Sequence, residues 1–151
     1  MAEQTEEEIL EAYEAATARV SKAQSAEAAK RKRARMVEFV EHVAPLLEAD
    51  PDLKKKELDE GGGDVGGWIV VRNPKDSEYK RWRFVKFNQS NDRGAKDAQA
   101  KVDSELATSC VVYPAPAAYE AICKAFPATH DAVAAIVLRA AEAQREAEGK
   151  G

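Results

Sequence analysis

Residues Gly67 to Phe87, GWIVVRNPKDSEYKRWRFVKF, constrain the fold more than any other stretch of the chain. They hold both tryptophans and three of the eight other aromatic residues. Trp68-Ile69-Val70-Val71 is short, β-branched and bounded by glycines before and Asn73-Pro74 after, so it reads as one buried strand. Asn73 offers a side-chain oxygen as a helix N-cap, and Pro74 fits the first helical position, where no amide hydrogen is needed. A helix is therefore expected at once. Along it Tyr79, Trp82 and Val85 share one face, Phe84 and Phe87 flank that face, and Lys80, Arg81, Arg83 and Lys86 fall mostly elsewhere. A strand turned sharply into an aromatic helix is the expected centre of the core. Aromatics interleaved with Lys and Arg also describe a platform for single-stranded nucleic acid. At helical spacing, however, they sort into a buried aromatic face and a basic rim whose stems run along it, and that reading is preferred.

Residues 5 to 48 contain no Gly and a single Pro, at position 45, among abundant Ala, Glu, Lys and Arg. This composition predicts one long helix, or two in tandem, across residues 1–49. Its first part carries a thin apolar seam of Ile9, Leu10, Tyr13, Ala16, Val20 and Ala23. Ile9, Leu10, Tyr13 and Val20 are accordingly candidates for pairing with another helix, in a second copy or a different protein. Its last part, Met36, Val37, Val40, Val43 and Leu47, is a stronger stripe that is expected to be buried. Between them runs Lys30-Arg31-Lys32-Arg33-Ala34-Arg35, after an acidic start of Glu6, Glu7, Glu8, Glu11 and Glu14. Sign segregation of this kind serves mainly to solvate an Ala-rich helix. The second reading makes Lys30, Arg31, Lys32, Arg33 and Arg35 contacts for an acidic partner or nucleic acid, although no aromatic residue interleaves them to stack on bases.

Residues 50–67 break the helix at Asp50-Pro51 and scatter glycines through a loop. Leu53 to Leu58 is expected to be a weak edge strand pairing with Trp68–Val71 across the Gly61-Gly62-Gly63 turn, since a lone strand would leave its backbone groups unpaired. The GGGDVGG run lacks the Lys-Ser/Thr ending of a P-loop and the helix start of a dinucleotide site, so it reads as a loop rather than a phosphate cradle.

Beyond the polar turn NQSNDRG, with Asn91 or Asp92 as a cap, Ala98, Val102, Leu106 and Cys110 fit the helical period. That helix is expected to run through Cys110-Val111-Val112-Tyr113 to Pro114. Pro116 starts another, in which Tyr119, Ile122, Cys123 and Phe126 are spaced i, i+3, i+4, i+7. After Pro127 a last helix, with Thr129 as its cap, is driven by Val133, Ile136, Val137 and Ala140.

Composition narrows the function classes. The net charge is −4 and the pI near 5.4, so nothing draws the whole chain to nucleic acid or an anionic membrane. No apolar run approaches the roughly 20 residues needed to span a bilayer, and MAEQTEEEIL lacks the order of a secretory signal. A cytoplasmic protein without membrane attachment is expected. Cys110 and Cys123 read as two buried free thiols. His42 and His130 have no His, Cys or carboxylate at i+3 or i+4, so a metal site is not expected. A thiol enzyme pairing Cys110 or Cys123 with His130 would need positive surroundings that an apolar helix face does not provide. The carboxylates lie on solvated faces. No catalytic residue, metal or cofactor is therefore assigned, and a non-enzyme is expected.

The order of a strand, Pro74, a helix with Glu78 and Arg81 early in it, a polar linker, a helix ending in Leu106-Ala107-Thr108-Ser109-Cys110-Val111-Val112-Tyr113-Pro114, and two closing helices resembles the small tail assembly chaperones of long-tailed bacteriophages. In that family a strand leads into an x-Pro-x-x-x-Glu-Tyr helix ahead of an LA-x-x-CVV-x-P segment. The resemblance covers residues 66 to 141, and the helix before residue 50 lies outside it. It implies a protein-binding function in the host cell cytoplasm: coating the aggregation-prone tape measure protein and helping to recruit tail tube subunits, with no catalytic residue to transfer.

The fold expected is mainly α. A compact helical domain over 68–148 with a short β-hairpin follows the Gly-rich 50–67 segment and the long N-terminal helix of 1–49. The alternative function is a nucleic-acid-binding or virion structural accessory protein acting through the basic part of that helix.

Overall fold

A computed structural model describes residues 3–61 and 65–149. The chain is mainly helical with a three-stranded antiparallel sheet of order β1-β2-β3. Helix α1, Glu6–Glu38, is opened by a reciprocal cap: the Glu8 amide donates to Thr5 Oγ1 at 3.2 Å and the Thr5 amide donates to Glu8 Oε2 at 3.4 Å. It runs through a π-helical turn, Phe39–Val43, into α2, Ala44–Ala49. Pro45 explains the turn. It has no amide hydrogen, and its ring crowds the carbonyl four residues earlier, so the helix widens there, and the Ala44 amide donates five residues back to the Phe39 carbonyl.

Strand β1, Lys54–Glu57, pairs antiparallel with β2, Trp68–Val71, in the register Lys54 to Val71 through Glu57 to Trp68. The edge strand expected from Leu53–Leu58 is thus present. Gly62, Gly63 and Asp64, at the centre of the GGGDVGG run and of the turn expected there, lie outside the described residues. On the other side of β2 lies β3, Val111–Tyr113, joined with a register shift between Val70 and Val71. This corrects the expectation of a helix reaching Pro114. Helix α4, Arg93–Cys110, stops at Cys110, and Val111-Val112-Tyr113 turn extended because β2 offers them unpaired backbone groups.

Strand β2 is covered on both faces, which is why its sequence is continuously apolar rather than alternating. Ile69 and Val71 face the main core, with Leu58, Leu106, Ala107 and Cys110 beside Tyr119, Ile122 and Cys123 of α5, Pro116–Ala125, and Val133, Ala134 and Val137 of α6, Thr129–Gly149. By alternation Trp68 and Val70 face the other way. There Trp68 meets Phe39 of the π turn, ring centroids 5.0 Å apart, and Val43 is fully buried.

Helix α3, Asp76–Lys86, begins two residues later than Pro74. Asn73 does not cap it. The residue before the helix is Lys75, whose amide donates to Glu78 Oε1 at 2.8 Å, while Asn73 Oδ1 is buried without a hydrogen-bond partner among the described residues. Nor is α3 the centre of the core. Tyr79, Trp82 and Val85 form the expected face but are only half-buried, because they pack on one flank of α4. The stripe Met36, Val37, Val40, Val43, Leu47 is also not buried as a unit. Val43 alone is buried and Leu47 half-buried, while Met36, Val37 and Val40 are exposed, since the helix turns its Arg35–Glu38–Phe39 side to the sheet.

Candidate functional site

All of α1 except its last turn or so leaves the domain. From Glu6 to Arg33 every residue except Ala16 is exposed. The four partner-binding candidates are therefore all accessible: Ile9 52%, Leu10 55%, Tyr13 67% and Val20 54% exposed. They share a helix face that no other element of the described residues covers.

The basic run divides in two. Lys30, Arg31, Lys32 and Arg33 are exposed, with Arg31 Nε 3.5 Å from Glu27 Oε1 one turn away. Arg35 turns inward. Its Nε lies 3.0 Å from Glu57 Oε1, and Nη1 donates to the carbonyls of Asp59, at 3.0 Å, and Gly61, at 2.8 Å. Its own carbonyl accepts from Trp68 Nε1 at 2.8 Å. Arg35 therefore fixes the helix to the β1–β2 hairpin and is not offered to a partner.

Glu38, one turn on, completes the attachment. Its Oε1 accepts from the Gly67 amide at 2.8 Å and its Oε2 from Tyr113 Oη at 2.7 Å, tying α1 to both β2 and β3. Burial, then the hydrogen bond to Glu38, raises the Tyr113 phenol above its ordinary value. The His42 ring stacks on Tyr113, 15° from parallel with centroids 5.7 Å apart. Lys30, Arg33, Ala34 and Val37 join Tyr113 and Gly66 in lining a shallow groove beside this joint.

A second surface lies on α3. Trp82 Nε1 donates to Asp103 Oδ1 at 2.7 Å, and Lys86 Nζ lies 3.0 Å from Asp103 Oδ2. Burial alone would raise the Asp103 carboxyl, but these two donors outweigh it and its pKa is lowered. Tyr79 stacks on Trp82 from one side and Phe87 meets it edge-on from the other. Phe84 and Phe87 themselves are 76% and 67% exposed, and with Lys80 and Arg83 they line a shallow depression. The aromatic helix thus has one packed face, with Phe84 and the cap residue Phe87 left largely in water.

The end of β2, the first turn of α3 and the end of α4 meet at one junction. Arg72 Nη1 and Nη2 grip Glu78 Oε1 and Oε2 at 2.7 and 3.0 Å, and Nη2 also donates to the Ser109 carbonyl at 2.7 Å. The Arg72 amide donates to the Cys110 carbonyl at 2.9 Å. Reasoning from sequence singled out Glu78 but missed Arg72, Glu38, Glu57 and Asp103. A charged residue directly at the end of a buried strand was the available signal for Arg72.

His130 Nδ1 lies 3.0 Å from Tyr119 Oη under a T-shaped ring contact. Cys110 is fully buried, and burial pushes its thiol up to about 11; burial also raises Cys123. Among the described residues no group of three His, Cys, Asp or Glu side chains could hold a metal ion, and no helix is long and apolar enough to cross a membrane. Comparison with protein-family models, curated proteins and solved structures gives no significant match.

Proposed function

We propose that this chain is a non-enzymatic tail assembly chaperone of a long-tailed phage, binding the tape measure protein and other tail proteins through exposed apolar side chains. The observation that carries the reading is the pair Phe84 and Phe87. Among the described residues twelve pack into one core cluster, yet Phe84 on α3 and Phe87 at its C-terminal cap stay in water, beside the Trp82 side chain that Asp103 holds. Exposed aromatics on a rigid element are suited to holding apolar segments of another protein. The bordering Lys80 and Arg83 suit a client segment that carries acidic residues. The Arg72–Glu78–Ser109 junction is compatible with the same reading, since it uses Glu78 of the resembling segment to tie α3 to the end of α4.

Co-expression with the tape measure protein of the same phage tests this. Soluble tape measure that co-purifies with the tagged chain, and is lost when both Phe84→Ser and Phe87→Ser are introduced, is the expected result. A tape measure that stays insoluble beside the native chain overturns it.

A further inference from the structure

Ile9, Tyr13, Ala16, Val20 and Ala23 recur in alternating steps of four and three residues, the spacing that keeps one stripe of a helix turned to a partner helix over many turns. The same steps continue through Glu27 and Lys30 to Ala34 and Val37, where the stripe enters the groove beside Tyr113. The small side chains of Ala16, Ala23 and Ala34 permit close approach of a second helix axis, within about 8–10 Å.

Charge specifies the direction of that helix. Residues 6–14 hold five glutamates and no Lys or Arg, whereas residues 15–35 hold Arg19, Lys22, Lys30, Arg31, Lys32, Arg33 and Arg35 against Glu27 alone. A parallel pair would set acidic against acidic and basic against basic. An antiparallel pair sets each acidic end on the other copy's basic segment. Most of the glutamates lie off the stripe, so this preference works through the field of the whole segment and is strongest at low salt.

We propose that α1 pairs antiparallel with α1 of a second copy of this chain. The spacing sets Ile9 against Ala34, Tyr13 against Lys30, Ala16 against Glu27 and Val20 against Ala23 of the other copy. The paired stretch is about 38 Å long at 1.5 Å per residue. Each copy's acidic first turns then lie along the other's groove, near Lys30 and Arg33, while Phe84 and Phe87 stay free. The pairing is independent of the chaperone reading.

The test uses the full chain alone. Light scattering during gel filtration should give twice the 16.5 kDa chain mass. Val20 is 54% exposed on a helix face that packs on no other described element, so Val20→Asp should leave the fold intact and weaken association by about 100-fold or more by placing a charge in the apolar stripe twice. A single spin label on Glu11→Cys should report a separation of about 30 Å in the antiparallel pair, against less than about 20 Å in a parallel one. Raising the salt from 50 mM to 500 mM should weaken the dimer. A native chain that is monomeric at 100 μM, a dimer that survives Val20→Asp, or a short label distance each overturns the proposal. Failure here would leave the tape measure experiment unaffected, and failure there would leave this one standing.

Discussion

The Arg72 guanidinium holds both oxygens of the Glu78 carboxylate, at 2.7 and 3.0 Å, while reaching across to the Ser109 carbonyl at the end of α4. The hydrogen bond from Arg72 lowers the Glu78 carboxyl to about 2, with the Lys75 amide adding to it. A carboxyl depressed in the folded state stabilises the fold above its ordinary value of about 4.3, and that stability is lost as the pH falls through the folded value. Glu78→Gln should therefore destabilise the protein by about 2 kcal/mol at pH 7, the usual scale for a hydrogen bond to a charged group. The difference between native and variant urea midpoints should close between about pH 4.3 and pH 2.

What was legible in the sequence was local. The Gly-free 5–48 stretch carries helix propensity at nearly every position, and the WIVV run between glycines and Asn73-Pro74 marks its own limits. What was not legible depended on partners distant in the chain. Val111-Val112-Tyr113 continues a helical period and becomes a strand only because β2 lies beside it. Met36, Val37 and Val40 look like a core stripe, but Arg35 and Glu38 win the inward face, since their hydrogen bonds to Gly61, Gly67 and Tyr113 satisfy groups that apolar side chains could not. The candidate surfaces followed the same rule: Ile9 to Val20 could be found by spacing, whereas the exposure of Phe84 and Phe87 required knowing that α3 packs on only one flank of α4.

At Gly67 the Arg35 side chain of α1 lies directly against the backbone that leads into β2. A Cβ there would sit 2.7 Å from Arg35 Cδ, whereas one at Gly66 would meet Glu38 Oε2 at 3.1 Å and Ile122 Cδ1 at 3.4 Å. The Arg35 side chain is held by three acceptors and cannot move aside without losing them. Gly67→Ala should thus lower stability by about 1–3 kcal/mol, as overpacking does, and Gly66→Ala by less. Because Trp68 Nε1 donates to the Arg35 carbonyl, the Gly67 variant should also shift tryptophan emission in the native state. Equal thermal midpoints for the native protein and the Gly67 variant would contradict this account of the joint.

Cys110 is buried among Ile69, Leu106 and Val137, and its thiol is pushed up to about 11. Only the thiolate reacts with disulfide reagents. At pH 8 the folded protein should therefore react at Cys110 at least tenfold more slowly than the urea-unfolded chain, where the thiol regains a value near 8.5. Time-resolved labelling with an aromatic disulfide measures this, and prompt labelling of Cys110 in the native state would contradict the packing around it.

Trp82 and Phe84 sit two residues apart on α3 and should respond oppositely to truncation. Trp82 is half-buried, stacked by Tyr79 and hydrogen-bonded to Asp103, so Trp82→Ala should destabilise by about 2 kcal/mol, below the 3–5 typical of a fully buried aromatic. In a domain of this size that is a fall of about 4–8 °C in Tm. Phe84 is 76% exposed, so Phe84→Ser should alter stability by no more than about 0.5 kcal/mol. If α3 holds a client, the same change should still reduce the amount of tape measure protein kept soluble. Calorimetry on the purified variants and the co-expression yield together separate the two roles. A Phe84 variant that loses stability but not client solubility would move that phenylalanine from the binding surface to the core.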